Sequence, residues 1–357
     1  MGCEMAQRAE PGQSGQSGRR GAGQAGADPD GPPGAPYASR RTVLGTALAA
    51  VTLATAGAVT GCAPSAGGGS TADQDRSPFT GGGEKGDHVL AVKIDNVGPA
   101  RPQTGLDQAD LVYTEEVEAG LSRILAVFAS RVPATLGPVR SARESDLELL
   151  RQFGRPALAF SGVQSKLMPT LEAASLRLIP PGKLPEGYER DPARPAPHNL
   201  YLRARTAMDA AKDAAAPRDI GFRFGPAPEG GRRVGEHTVR YPAARFTFNW
   251  SAGRRRWLVS MDGAPAHTRG DGRLAPATVV IQYVTARASR FRDSAGSVTP
   301  YTETVGQGRA LVLRDGKEYR ARWSRPAADA GTTFTDSDGN RLPFARGQVW
   351  TALVPKD

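Results

Sequence analysis

From residue 88 onward the apolar residues fall into short runs broken by turn-forming residues. Residues 88–95 (HVLAVKID) are apolar and β-branched and predict a buried strand. Residues 110–118 alternate, with Leu111, Tyr113 and Val117 on one face and Val112, Thr114, Glu116 and Glu118 on the other. Residues 122–130 (SRILAVFAS) predict a partner strand, with Ala119-Gly120 in the turn between them. Ser141-Ala142-Arg143-Glu144 fits the S-x-x-E capping pattern, and Leu147, Leu149 and Leu150 follow at helical spacing. Residues 156–161 predict another strand, 165–174 a short helix interrupted at Pro169, and 203–216 an Ala-rich helix closed by Pro217. Between the last two helices, 180–197 is a Pro-rich charged loop too long for a simple connection.

Beyond about residue 226 the texture changes. Runs at 245–249, 256–260, 277–284, 309–313, 319–323 and 348–354 predict strands. Asp262-Gly263, Asp271-Gly272, Asp315-Gly316 and Asp338-Gly339 supply the turn chemistry between them. The expected fold is therefore α+β, with a mixed α/β domain over 88–225 and a β-rich domain, a small barrel or sandwich, over 226–357. No fixed period recurs, which excludes solenoids and propellers.

Composition sharpens this in two ways. The 357 residues suit two domains. Lys and Arg total 46 against 36 Asp and Glu, a formal net charge of +10, and the cation is nearly always Arg. Two cysteines exclude a disulfide-rich scaffold, a zinc ribbon or a thiolate cluster.

The amino end carries its own pattern. Residues 1–38 show no apolar period and are expected to be disordered. Arg40 and Arg41 precede an uncharged stretch, 43–59, that is short for a membrane span. Val59-Thr60-Gly61-Cys62 then closes it. Paired arginines before a weakly apolar core resemble a twin-arginine export signal, and the closing tetrapeptide resembles a lipobox. Residues 1–61 are thus expected to be a signal with an extension, Cys62 the lipidated residue, and 62–87, with its Gly67-Gly68-Gly69-Ser70 and Gly81-Gly82-Gly83 runs, a tether. Cleavage would remove Cys3 as well and leave no free thiol for a disulfide or for catalysis. The implied location is the outer face of the cytoplasmic membrane, with the membrane itself a partner through Cys62.

Several longer motifs then line up. These are Val92-Lys93-Ile94-Asp95-Asn96, the stretch Ala100-Arg101-Pro102-Gln103-Thr104-Gly105-Leu106, and Ala109-Asp110-Leu111-Val112-Tyr113. They continue through 117–123 (VEAGLSR), 137–143 (GPVRSAR) and Pro197-His198-Asn199-Leu200-Tyr201. Together they resemble the YerB-like lipoprotein family, as do Asp262-Gly263 before His267 and Gly306-x-Gly308 before Trp323 in the β-rich half. Thr114, Ala119 and Ser122 stand where that family's pattern commonly has Glu, Gly and Thr. The resemblance implies a two-domain lipoprotein of unassigned biochemistry.

The charged residues offer two chemistries. Arg140 and Arg143 flank a predicted helix start, where free N–H groups and forked guanidinium groups make an anion site. Ser141, Arg101, Arg123 and Asn199 complete the candidate ligand-binding set. The competing structural reading pairs Arg140 and Arg143 internally with Glu116, Glu118 or Asp110, pairs Arg123 with Glu116 or Glu118, and makes Arg101 a pin for its loop. Alternatively, two of Asp95, Glu116 and Glu118, with His198 as proton carrier, could serve a wall-directed hydrolase. His237 and His267 lack a second ligand at metal spacing, and Asp336–Asn340 lacks the remaining positions of a calcium loop, so neither metal nor cofactor is expected. G-x-S-x-G, S-x-x-K, H-E-x-x-H and Walker motifs do not occur. Dispersed arginines without interleaved aromatics, behind an export signal, exclude nucleic acid as a partner. The leading expectation is a non-catalytic lipoprotein binding an anionic cell-wall polymer or an envelope protein through its first domain.

Overall fold

The computed structural model describes residues 76–83, 85–270, 272–292 and 296–356, so Arg40, Arg41, Cys62 and most of the expected tether lie outside the described residues. The end of that tether is part of the folded body. Phe79 is fully buried and meets Phe153 edge-on, with ring centroids 5.4 Å apart.

One eleven-stranded sheet organises the described residues. Strand β3 (Ser122–Phe128) lies between β1 (Leu90–Asp95) and β2 (Leu111–Glu116), antiparallel to both. Beyond β1 come Ala157–Ala159 and Arg177–Ile179, each parallel to its neighbour. Beyond β2 comes the last strand of the chain, Val349–Pro355, parallel to β2 and also to Thr278–Val284. The sheet then runs antiparallel through Gly306–Arg314, Lys317–Arg325 and Thr333–Thr335. The two halves of the sequence thus occupy opposite ends of one sheet, joined where β2 meets Val349–Pro355.

Both faces are covered, which explains strands that read as continuous apolar runs. On one face Val92, Ile94, Val112 and Ile124 share a core with Phe246, Phe248, Trp257 and Val259. The latter come from a separate antiparallel sheet, Glu236–Tyr241, Ala244–Ser251, Arg256–Met261 and Ala264–Pro265. On the other face Ala91, Leu111, Leu125 and Val127 share a core with Leu149, Leu150, Phe153, Phe222 and Phe344.

The first half is less helical than its sequence predicts, and the molecule is mostly β. Its three described α-helices, Glu144–Leu150 (α1), Met168–Ala173 and Ala204–Asp209, have six or seven residues each. Pro169 sits in the first turn of its helix, where its missing N–H costs nothing, so it opens the helix and does not interrupt it. The 203–216 helix stops at Asp209, and its alanines Ala211 and Ala214 pack into the core from turns. Helix α1 starts two residues later than the S-x-x-E pattern implies. Arg143 takes the N-cap position, and Asp146 Oδ2 accepts its N–H at 2.7 Å. Glu144 cannot fold back onto Ser141 because its carboxylate accepts from Ser289 Oγ at 2.6 Å and pairs with Arg290 at 3.2 Å. The β-rich half does not close on itself. Six of its strands extend the common sheet, which leaves the four-stranded sheet as a cover and a separate two-stranded hairpin.

Candidate functional site

The ends of β1 and β2, the start of β3 and the approach to α1 bring the charged residues together. Asp95 ends β1 with its side chain fully buried. Its Oδ1 accepts the Asn96 N–H at 2.9 Å and lies 3.2 Å from Arg123 Nη1. Its Oδ2 lies 2.7 Å from His198 Nδ1 and 3.0 Å from Arg140 Nε, the latter an ion pair out of line for a hydrogen bond. One carboxylate therefore serves two arginines and a histidine.

Glu118 follows β2 in a tight turn made possible by positive φ at Ala119 (58°) and Gly120 (67°). That turn aims its carboxylate at Arg143, which it grips with two hydrogen bonds of 2.7 and 2.8 Å. Thr299 Oγ1 donates to the same carboxylate at 2.5 Å. Burial alone would raise the Glu118 pKa, but Arg143 and Thr299 outweigh it and hold it below 4.5.

Behind these groups sits a buried ionic cluster. The Lys93 ammonium contacts Glu115 and lies 2.6 Å from Asp146 Oδ1. Ser145 Oγ donates to the other Glu115 oxygen at 2.7 Å. Burial pulls the Lys93 pKa down, yet Asp146 and Glu115 together raise it above 10.5, so the ammonium stays charged. Sequence reasoning passed over Lys93 and Glu115. The available signal was a lysine inside an otherwise apolar strand, since a buried ammonium requires a carboxylate partner.

Arg123, Arg140, Ser141, Arg143 and Glu118 line one cleft of about 520 Å³, closed on its sides by Gln164, Ser165, Ser289, Phe291 and Thr299. Arg123, Arg140 and Arg143 face two carboxylates, Asp95 and Glu118, because Glu144, which also lines the cleft, is engaged by Ser289 and Arg290. A fourth arginine, Arg292, lines the cleft and donates to Gly296 O at 3.0 Å. Burial lowers the Arg123 pKa; Asp95 opposes that, and the like charges of Arg140 and Arg143 add to it. Arg123 Nε is buried without a hydrogen-bond partner. Among the described residues, Arg140 makes no side-chain hydrogen bond and no ion pair other than that with Asp95, and keeps about a fifth of its side chain exposed.

The other candidates lie elsewhere. Arg101 bonds to Asn96 O at 2.7 Å and pairs with Asp262 at 2.7 Å, fastening two loops together. Asn199 accepts from Arg190 at 2.7 Å and donates to Arg194 O at 3.2 Å, so it shapes the long loop. His198 reaches the cleft only through Asp95. Glu116 is half-buried, its pKa raised by burial, and it does not line the cleft. Asp110 accepts the N–H groups of Ala129 and Ser130 at 2.6 and 2.8 Å and partners none of the cleft arginines. The internal pairing weighed from sequence therefore holds for Arg143 with Glu118, while Arg123 and Arg140 turn to Asp95.

Residues 79–218 match the family model described as "Protein of unknown function (DUF3048) N-terminal domain", and residues 237–351 match the corresponding C-terminal domain. The chain is 26% identical over 281 residues to "Putative lipoprotein YerB" of Bacillus subtilis (strain 168), across 74% of this chain and 81% of that protein. The crystal structure of YerB from Bacillus subtilis matches it with a TM-score of 0.66 at 22% identity, over 79% of this chain and 97% of that one. The motif resemblance, both matched domains and the shared fold agree: this chain belongs to the DUF3048 family and is a homologue of YerB.

Proposed function

We propose that the protein is a lipoprotein, anchored through Cys62 on the outer face of the cytoplasmic membrane, whose arginine cleft binds an anionic group of the cell envelope. The paired Arg40 and Arg41, the Val59–Cys62 lipobox pattern and the name carried by the Bacillus homologue support the anchor. The single observation carrying the ligand class is the cleft itself, where three guanidinium groups converge on two carboxylates. A phosphate or carboxylate entering there would meet planar donor forks in a partly desolvated site, the setting in which bidentate recognition is strongest. It would also relieve the mutual repulsion of Arg123, Arg140 and Arg143.

The arrangement favours binding over hydrolysis. A glycosidase needs one carboxyl group poised to donate a proton. Glu118 is held below its ordinary pKa by Arg143, and Asp95 is enclosed by two arginines and a histidine. Glu116 does not line the cleft.

The test is sedimentation with isolated cell-wall sacculi across salt concentrations, comparing wild type with Arg140→Glu. Arg140 makes one ion pair in the protein, so the variant should fold, which a melting curve verifies. Losing one charged hydrogen-bonding group should weaken binding about tenfold or more. Unchanged binding by the folded variant, or no binding by wild type, would sink the proposal.

A further inference from the structure

A second concentration of cations lies outside the cleft. Three hollows of about 800, 330 and 480 Å³ adjoin one another, because Arg346 lines all three and Arg256 lines two. Arg254 and Arg255 line the first, Lys85 the second and Arg131 the third. Among the described residues, Arg131, Arg254, Arg346 and Lys85 are exposed and make no hydrogen bond or ion pair through their side chains. Most acids lining the same hollows are already engaged. Asp110 serves backbone N–H groups, Asp219 pairs with Arg223 at 3.0 Å and Asp315 with Arg314 at 2.8 Å, which leaves Asp107. The result is a continuous band in which basic side chains outnumber acidic ones.

The chain enters the folded body at this band. Ser77, Pro78 and Gly81 line the second hollow beside Arg346. The Gly347 N–H donates to Thr80 O at 2.9 Å, and Phe79 buried against Phe153 pins the segment in place. Cys62 precedes Arg76 by fourteen residues. However they are arranged, fourteen residues span no more than about 50 Å. A lipid on Cys62 would therefore keep the band close to the membrane, at a high effective concentration.

We propose that this basic band docks on the anionic phospholipid surface to which the protein is tethered, so that the body rests against the membrane through Arg254, Arg256, Arg346 and their neighbours. Cytoplasmic-membrane headgroups supply the opposite charge, and each Arg or Lys close to such a surface raises partitioning roughly fivefold. The docking rests on the Cys62 anchor for its proximity and is independent of the arginine cleft, which shares no lining residue with the band.

The experiment uses the full chain carrying Cys62→Ser, unlipidated, floated with vesicles of phosphatidylcholine alone or with phosphatidylglycerol added. Binding is expected only with phosphatidylglycerol and should be released by high salt, since surface charges are screened there. Arg254→Glu, Arg256→Glu and Arg346→Glu together should lower the partition coefficient at least about a hundredfold, the loss of three cations alone accounting for that much. The same reversal at Arg205, Lys212 and Arg240, which line none of the three hollows, also takes the net charge from +10 to +4 but should leave binding within about threefold. Equal binding to both vesicle types, equal loss in the two triple variants, or no loss in the first would overturn the docking. Normal vesicle binding by the band variant with lost sedimentation on sacculi would reassign the band to a wall polymer. Labelled fatty acid incorporated by wild type and lost in Cys62→Ser tests the anchor separately; its absence would remove the anchor and leave the vesicle result standing.

Discussion

Lys93 shows at the scale of one residue how the site is held. Its ammonium is fully buried between Glu115 and Asp146, and Asp146 also caps the N-terminus of α1 through the Arg143 N–H. The cluster therefore links β1, β2 and the helix that presents Arg143 to the cleft. Removing the cation alone leaves two buried carboxylates facing each other. Lys93→Met should cost about 3–5 kcal/mol, read as a lower urea midpoint. Adding Glu115→Gln and Asp146→Asn should recover most of that loss, because a neutral cluster of the same shape carries little desolvation penalty. A single variant as stable as wild type would show that the cluster is not a structural link. The charged residues of the cleft were legible in the sequence as types, but not as pairs. Lys93 meets its partners across 22 and 53 residues, Arg123 and Arg140 share Asp95, and no local spacing rule reaches that far.

At the scale of elements, the pattern located most strands and misplaced their company. Alternation and β-branched runs marked β1, β2, β3 and the 348–354 run correctly, since burial acts on each strand independently. The hairpin Ala286–Arg292 and Val298–Thr302 was missed because its exposed faces carry charged and polar residues, although it supplies Ser289 and Thr299 to the cleft. Nothing local says that Val349–Pro355 inserts between β2 and Thr278–Val284, for parallel pairing has no turn signal. Trp350 shows what that insertion holds. It is fully buried, with its ring 6.0 Å from both Phe246 and Phe248, so it joins the main sheet to its four-stranded cover. Trp350→Ala should therefore cost about 3–5 kcal/mol. Trp350→Phe should cost less than about 1.5 kcal/mol, because the buried indole N–H has no hydrogen-bond partner to lose. Thermal unfolding of both variants checks the order; a reversed order would mean that the ring's size is not what the seam needs.

For the whole molecule, the two matched domains divide the sequence but not the hydrogen-bonded sheet. Residues 79–218 end at β2 on one edge, and the strand that covers that edge comes from 237–351 or just beyond it. Val112 and Ile124 of the first domain lose Phe246, Phe248 and Trp257 when the second is absent, and an uncovered apolar edge strand invites aggregation. A fragment of residues 88–225 should therefore be insoluble or unfolded when expressed alone, and soluble when co-expressed with 226–357. In the intact chain, the amides of β1 to β3 should gain exchange protection that fails at the same urea concentration as that of Thr278–Val284, as in a single cooperative transition. All four tryptophans, Trp250, Trp257, Trp323 and Trp350, lie in the second half, so their fluorescence reports that half while exchange in β1 to β3 reports the first. Coincident midpoints would make the two domains one thermodynamic unit. The cleft, whose walls include Arg140 from one half and Thr299 from the other, would then form only when both have folded. Separated midpoints would instead mean that the seam at Val349–Pro355 opens first, and that ligand binding is lost before the first half unfolds.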